Sequence, residues 1–278
     1  MQTKTPPFDF IFISYDEPKA EENWLKLKSV IPNAKRVHGV EGIARAWKKA
    51  SELATTSHFF TMDGDSQIKE NFFFELNDFQ GENDQRVHVY RCLNGVNGLV
   101  YGYGSIHLFP TQLVRDFKDL DVVDFTLNVA THGFCIQPKV ASTTCFNTSA
   151  YISWKSGFRE ASKLASQTNA YIGTKPDPRS LNRLVAWTSL GADVEFGDWC
   201  LLGARMGALF GFEFKNQPEQ LSLISNHEWF RAEFQKISAE SLSDNLASVK
   251  DDLKKYDFRC FDFNCDESAT IKKLMNEV

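Results

Sequence analysis

The sequence predicts an α/β fold: a mostly parallel sheet flanked by helices, followed by a helical C-terminal region. Three observations carry that expectation. The N-terminal third alternates short apolar runs with amphipathic segments in the order β-α-β-α-β, which implies parallel strands joined by right-handed crossovers. The C-terminal third is mostly helical in pattern. The chain has 278 residues, 42% of them hydrophobic and 24 of them Phe, so it can fill a large and partly aromatic core. A division into a core over residues 1–175 and a helical region over 176–278 packed on it is expected from this pattern.

Taken in order, "DFIFIS" (Asp9–Ser14) reads as a short buried strand. "EPKAEENWLKLKSVIP" reads as a helix, with Pro18 near its start and Pro32 just past its end. "AKRVHGV" is a second short strand. "EGIARAWKKASELATT" puts Ile43, Ala46, Trp47, Ala50, Leu53 and Ala54 on one helical face, and "HFFTM" is a third strand. "RVHVYR" (Arg86–Arg91) alternates as a strand does. "CLNGVNGLVYGYGSIHLFP" carries Gly95, Gly98, Gly102 and Gly104; it reads as a mobile or tightly turning loop, or as a glycine-rich hairpin. In "ASTTCFNTSAYISWKSGFREASKLASQ" a helix is expected from near Ser153 or Trp154, with Trp154, Phe158, Ala161, Leu164 and Ala165 on one face. "DPRSLNRLVAWTSLGAD" has Pro178 at its start and Gly191 at its end, as a capped helix should. "GDWCLLGARMGALFGFEF" repeats glycine at 203, 207 and 211, a small-residue face that allows close packing on another element. "SNHEWFRAEFQKI" has the form of a capped helix start, and "SLSDNLASVKDDLKKYDF" is a further amphipathic helix expected on the outside.

The third strand runs straight into Asp63, Gly64 and Asp65. In parallel sheets, ligands bind beyond the carboxyl ends of the strands. Two carboxylates at such a tip make a poor core and a good cation seat. Their oxygens suit Mg2+ or Mn2+, which also hold phosphates, and Gly64 lets the backbone turn tightly between them. Asp and Gly are also ordinary turn residues, so a plain turn is the alternative. An EF-hand loop is excluded, because Gln67 and Ile68 stand where a ligand and a glycine are needed. The sequence contains no Walker-type loop, HExxH, GxSxG or zinc-like cysteine array. His107 stands where the "GYG" loop would need the third glycine of a dinucleotide fingerprint.

The segment "VHGVEGIARAWKKASELATTSHFFTMDGD" resembles the nucleotide-sugar half of GT-A glycosyltransferases, in which a strand, a glycine-bearing turn, a helix with small residues and a hydrophobic strand precede a DxD motif. The resemblance implies a GT-A-like, Rossmann-type sheet. It makes Gly39 and Gly42 the turn glycines and sets Arg45 in the first turn of the helix, where a donor phosphate or sugar is met. It matches Asp63 and Asp65 to the two acidic positions, the second usually on the metal and the first often on ribose or sugar. "ISYDEP" matches the nucleoside end: Ser14 at the strand tip, Tyr15 stacking on a base, and Asp16 or Glu17 taking a base or ribose hydrogen bond. The plainer reading is that Tyr15 caps the sheet and "DEP" opens a helix. "GYGSIHLFP" resembles the acceptor-side segment that walls the donor sugar. A late histidine, here His227, is implied as a third metal ligand beside Asp63 and Asp65; otherwise it is structural or exposed. In inverting members an Asp or Glu that opens a helix after the acceptor loop is the catalytic base. Glu160 is that candidate, with Asp124 and Asp198 in reserve. Arg159 replaces the first acid of the family's usual tandem acidic motif, and Glu160 also reads as a solvated helix residue paired with Lys163 or Lys155.

Within that fold the likeness is closest to glycosyltransferase-like proteins of tailed bacteriophages, thought to act on hydroxymethylated DNA bases. It is carried by "FISYDEPKAEENW", "PNAKRVHGVEGI", "DGDSQI", "NGLVYGYGSIHLFP" and "FNTSAYISWKSGFRE", from about Phe12 to Glu160. This implies a metal-dependent hexosyl- or pentosyltransferase using Mn2+ or Mg2+. It would move a sugar from a nucleotide-sugar, by default a uridine diphosphate sugar, to the hydroxyl of a 5-hydroxymethyl pyrimidine in double-stranded DNA, in the cytoplasm of a host cell. A polysaccharide, lipid or protein acceptor is the alternative within the same class. A non-catalytic nucleotide-sugar- or DNA-binding module is the alternative outside it.

A net charge of −5 argues against wholesale coating of nucleic acid but leaves room for a basic patch. Lys48 with Lys49, Lys155 with Arg159, Arg179 with Arg183 and Lys254 with Lys255 are the visible pairs, and a DNA acceptor would set Trp154 or Tyr151 near the entrance. The six cysteines form no CxxC pair, which favours free thiols. The chain lacks an apolar run of about 18 residues, so no membrane span is expected, and its start does not read as a signal peptide.

Overall fold

The computed structural model describes residues 5–70, 72, 74–101, 106–120, 122, 125–167, 178–237 and 241–276. The strands are β1 (Asp9–Ser14), β2 (Lys35–His38), β3 (His58–Asp63), β4 (Ser66–Ile68), β5 (Val87–Asn94), β6 (Val100–Tyr101), β7 (Ile106–Pro110) and β8 (Phe134–Thr144). The helices are α1 (Ala20–Val30), α2 (Ile43–Leu53), α3 (Thr111–Asp116), α4 (Phe125–Val129), α5 (Ala150–Ser166), α6 (Pro178–Ser189), α7 (Gly197–Glu213), α8 (Pro218–Ser222), α9 (His227–Gln235), α10 (Leu242–Leu253) and α11 (Cys265–Asn276). They fall into two compact units. One comprises Met1–Asn94 with Val100–Cys145, the other Gly95–Leu99 with Phe146–Val278. The change of unit comes ahead of α5, earlier in the chain than the division expected after residue 175.

The first unit is the α/β sheet. Its strands lie in the order β2-β1-β3-β7-β5-β8-β4, with β6 paired to β5. β1 pairs in parallel with β2 and β3, as the β-α-β-α-β pattern required, and β5 pairs in parallel with β8. β7 is antiparallel to both β3 and β5, and β4 is antiparallel to β8. β2, β1, β3, β5 and β8 therefore share one direction, the mostly parallel arrangement expected. Apolar residues cover both faces. On one, α2 packs Trp47 and Ala50 against Ile11, Phe59 and Phe109; on the other, Leu27 of α1 joins Phe10, Phe12 and Phe60. Burial of both faces is why the strands read as continuous apolar runs. Ile43 and Leu53 differ from expectation. As the terminal residues of α2 they stay 43% and 37% exposed, while Ala44 and Ser51 complete the buried stripe.

β8 is the strand that the pattern hides. Pro138 interrupts it and cannot donate to a ladder. The pairing accordingly jumps from Tyr90–Gln137 to Arg91–Val140, bulging past Pro138 and Lys139.

In the second unit α5 and α7 pack backbone to backbone. A Cβ on Gly203 would stand 2.0 Å from the Trp154 carbonyl oxygen, one on Gly207 2.2 Å from that of Phe158, and one on Gly211 2.5 Å from that of Ser162. The glycine spacing therefore does what the sequence predicted. α5 begins earlier than expected, because Ser149, in extended conformation, caps it by accepting the Ile152 N–H at 3.2 Å. α9 opens as predicted, with the Asn226 side chain accepting the Trp229 N–H at 3.0 Å. Arg205 of α7, 2% exposed, donates to the carbonyl oxygens of Thr188, Leu246 and Phe261 and to Asp262. It ties α6, α10 and the segment before α11 to one point. α11, unmarked by the sequence reading, holds the Gly95–Leu99 segment: Lys272 donates to the Val96 carbonyl at 2.9 Å and Asn276 to that of Gly98 at 3.0 Å.

Candidate functional site

Three parallel strands end together at one edge of the sheet. Ser14 pairs with His38, and Ile13 pairs with Asp63, so the tips of β1, β2 and β3 are in register. Gly39 follows at φ +72°, a left-handed conformation that favours glycine, and its N–H donates to the Ser14 carbonyl at 3.0 Å. Gly42, at φ +88°, precedes α2. Arg45 sits in the first turn of α2 as predicted, its Nη1 only 3.1 Å from where a Cβ on Gly42 would stand.

The Asp63-Gly64-Asp65 turn is held from two sides. From α1, buried Asn23 donates to the Gly64 carbonyl at 2.8 Å and accepts from Gln67 Nε2 at 3.1 Å. From the end of β8, Cys145 N–H donates to the Asp65 carbonyl at 2.9 Å. Ser66 Oγ reaches Asp65 Oδ1 at 3.1 Å and Thr144 Oγ1 at 3.1 Å, and Thr144 in turn meets Cys92 Sγ at 2.9 Å. Gly64 is required here for a different reason from the one expected. Its φ is not in the left-handed region. A Cβ would instead collide with Glu17 Oε2 at 2.7 Å, Glu17 Cδ at 2.9 Å and Ser14 Cβ at 2.9 Å.

Burial, and then the neighbouring carboxylates of Asp65 and Glu17, push the Asp63 carboxyl well above its ordinary range. The carboxylate oxygens of Asp63 and Asp65 are of the kind that a hard divalent cation takes. Among the described residues no group of three or more His, Cys, Asp or Glu side chains is gathered as a metal cluster. A cation of the Mg2+ type takes one or two carboxylates from protein and further oxygens from a bound phosphate, so Asp63 and Asp65 are the residues that could hold one.

Beside the turn lies a polar chain that sequence reasoning missed. Ser14, buried at the strand tip, accepts from Arg36 Nε at 3.0 Å and meets His38 Nδ1 at 3.0 Å. Arg36 Nη2 lies 3.5 Å from the same nitrogen, so His38 Nδ1 is assigned as an acceptor and Nε2 carries the proton. Arg36 also pairs with Glu21 at 2.5 Å, and its guanidinium lies 5.7 Å from the ring centres of Phe12 and Trp24. The signal was present in "KRVH", whose alternation puts Arg36 and His38 on one face of β2. Tyr15 is 41% exposed and Asp16 is exposed. Glu17 turns back on the chain, its Oε2 accepting the Tyr15 N–H at 2.8 Å.

The remaining predicted site residues lie elsewhere. Asp124, Gly102 and Gly104 fall outside the described residues. Glu160 lies half-buried in α5, Asp198 exposed in the first turn of α7, and His227 exposed as the first residue of α9, all in the second unit. Trp154 corrects an expectation. It is fully buried, with its Nε1–H on Met206 Sδ at 3.4 Å, and cannot stack on an incoming base. Its size and apolar body made it core: it packs against Phe158, Phe230 and Phe234. Tyr151 is half-buried, with Lys155 over its ring at 5.4 Å. Lys49, Lys254 and Lys255 pair within their own helical turns with Glu52, Asp251 and Asp252, and Lys48 donates to the Phe117 carbonyl. No helix among the described residues is long and apolar enough to cross a membrane.

No protein-family model and no curated protein matches the chain. Among solved structures it is similar to HddC from Yersinia pseudotuberculosis, at 14% identity over 50% of this chain and 69% of that one, with a TM-score of 0.25. It is also similar to S. aureus TarS 1–349 in complex with UDP, at 12% identity over 81% of this chain and 91% of that one, with a TM-score of 0.35. At these scores neither likeness carries an argument about function.

Proposed function

We propose that the chain is a glycosyltransferase that takes a nucleotide-sugar donor at the aligned tips of β1, β2 and β3. One observation carries the reading. An acidic turn, braced on both sides, follows directly on a β-α-β-α-β sheet beside an exposed Tyr15. Ser14, Tyr15, Asp16, His38 and Gly42 would frame the nucleoside, Arg45 would face the diphosphate or sugar, and Asp63 and Asp65 would hold Mn2+ or Mg2+. That ion, when bound, offsets charge on the departing diphosphate. In the transfer, the acceptor hydroxyl oxygen forms a bond to the anomeric carbon as the bond to the diphosphate oxygen breaks. The hydroxyl proton passes to a carboxylate within hydrogen-bond reach, for which Glu160 is the first candidate in the sequence and Asp124 and Asp198 the next. His227 is the third cation ligand that the sequence resemblance implies; like Glu160 and Asp198 it belongs to the second unit.

The acceptor to test first is the hydroxyl of a 5-hydroxymethyl pyrimidine in DNA, on the strength of the sequence resemblance. A target base would have to leave the stack to be reached, and phosphate contacts would make activity fall with salt. The alternative, a polysaccharide, lipid or protein hydroxyl, is favoured by a specific observation. Three lysines of the four basic pairs are engaged by carboxylates of their own helices, and Trp154 is core. The test is a transfer assay with Mn2+ or Mg2+, a panel of nucleotide sugars and DNA containing 5-hydroxymethylcytosine or 5-hydroxymethyluracil, read by mass spectrometry of the digested nucleosides. A sugar-sized mass gain that Asp65→Asn abolishes supports both donor and acceptor. Metal-dependent donor hydrolysis without a nucleoside product keeps the enzyme class and moves the acceptor elsewhere. With neither product nor hydrolysis from any donor, the glycosyltransferase reading fails and a binding module replaces it.

A further inference from the structure

We propose that Glu17 is a positioning residue that sets the spacing between the nucleoside end and the cation end of the site. The proposal rests on the nucleotide-sugar reading above and assigns Glu17 a part that does not involve touching the base or ribose. Its carboxylate stands between two backbone segments. Oε2 accepts the Tyr15 N–H at 2.8 Å. The same oxygen and Cδ lie 2.7 and 2.9 Å from the Cβ position of Gly64, within the acidic turn. Neither segment is free to drift away. The Glu17 carbonyl accepts the Ala20 N–H at 2.9 Å at the start of α1, and the Gly64 carbonyl is held by Asn23 of the same helix at 2.8 Å. Pro18 further restricts the backbone of Glu17 to extended conformations. α1 thus holds the Glu17 backbone and the Gly64 turn, and the Glu17 side chain is the spacer between the Tyr15 N–H and that turn.

This geometry separates position from charge. Glutamine reproduces both the acceptor and the length. Aspartate keeps the charge but is one methylene short, and alanine supplies neither. The absence of a Cβ at residue 64 is the other half of the fit, because a side chain there would displace the spacer.

The test is titration calorimetry of uridine diphosphate with Mn2+ on the full chain, for wild type and for Glu17→Gln, Glu17→Asp and Glu17→Ala. Thermal unfolding of Glu17→Ala, Gly64→Ala and the double variant accompanies it. Glutamine is expected to keep the dissociation constant within about threefold, and aspartate and alanine to weaken it by about tenfold, the scale of a hydrogen bond lost. In the assay above, donor KM follows the same order, while acceptor KM stays flat. The effects of Gly64→Ala and Glu17→Ala on unfolding are expected to be non-additive, as for residues in contact. Wild-type affinity in Glu17→Ala, or a Glu17→Gln as weak as Glu17→Ala, overturns the positioning role and leaves the nucleotide reading intact. Should Glu17→Ala fail to fold, the contrast between Gln and Asp decides in the same way. A wild type that shows the Glu17–Gly64 coupling but binds no uridine, cytidine, adenosine or guanosine diphosphate overturns the nucleotide reading, and this proposal with it.

Discussion

Asp84→Asn is expected to destabilise the α/β unit by about 3 kcal/mol without touching the candidate site. Asp84 is buried beside the end of the sheet opposite Asp63, since His58, which it holds, begins the strand that Asp63 ends. Its Oδ1 accepts from the Arg86 backbone N–H and Nε at 3.0 Å each. Its Oδ2 accepts from Gln80 N–H at 3.1 Å, Arg86 Nη2 at 2.8 Å and His88 Nε2 at 3.0 Å, while its carbonyl takes His58 Nε2 at 2.7 Å. An asparagine has one acceptor atom where the carboxylate has two. In either amide orientation its NH2 faces two or three of these donors. Each buried donor left unmet costs about 1–3 kcal/mol. The Arg86 side chain keeps 21% exposure, so water relieves its share and the total comes to about 3 kcal/mol, toward the low end of the summed cost. At about 2–4 °C per kcal/mol for a chain of this size, the expected fall in Tm is about 6–12 °C. Urea unfolding and amide exchange in β3, β5 and β8 are the assays, with uridine diphosphate binding as the control that should not move. A variant within 0.5 kcal/mol of wild type, by the usual scale for surface substitutions, would refute the claim that these bonds are made and buried together.

The same cluster sets a pH dependence. Gln137 exchanges two bonds with the Asn77 backbone, which orients its Nε2 toward His88 Nδ1 at 3.0 Å and leaves that nitrogen no proton to carry. Burial lowers the pKa of both His58 and His88. The unfolded chain takes up protons as pH falls through about 6.5 while the folded chain does not, so stability is full above that pH and declines below it. Urea midpoints should be flat between pH 7 and 8 and fall toward pH 5, and a flat profile across that range would count against the neutral pair. In the second unit, Gly207→Ala sets a methyl group 2.2 Å from the Phe158 carbonyl oxygen, and α5 and α7 must separate at a cost of about 1–3 kcal/mol in urea unfolding; alanine is the better helix former, so a loss at this position is steric. Thiol titration of the native protein at pH 8 should label exposed Cys265 first and buried Cys200, whose thiol burial pushes far up, only after unfolding. Labelling of Cys200 at the rate of Cys265 would show that α7 is not packed as described.

The legible parts share a cause. The β-α-β-α-β order, the glycine face of α7 and the Asn226 cap all depend on residues close in sequence, so local pattern carries them. β8 escaped notice because its apolar alternation is broken at Pro138, and its partners β5 and β4 make it a strand. The sheet of the second half also escaped, since β7 runs antiparallel between β3 and β5 and no local signal orders those three. Trp154 was misjudged because composition marks an aromatic as useful for stacking or for core, and only packing decides which.

At the candidate site the division is the same. From the sequence came the acidic turn at Asp63, Gly64 and Asp65 and Tyr15 at the strand tip, because each is the immediate continuation of a recognisable strand; the turn glycines and Arg45 at the helix start came from the family resemblance. Tertiary structure decided what those residues face. Ser14 is occupied by Arg36 and His38, 22 and 24 residues away, and Glu17 by the Tyr15 N–H beside it and by Gly64, 47 residues further on. Gly64 shows the difference most plainly. Its place in the turn was evident from its neighbours, but the reason for it was a carboxylate from β1's far side of the sequence, and steric exclusion between distant segments leaves no mark on local periodicity.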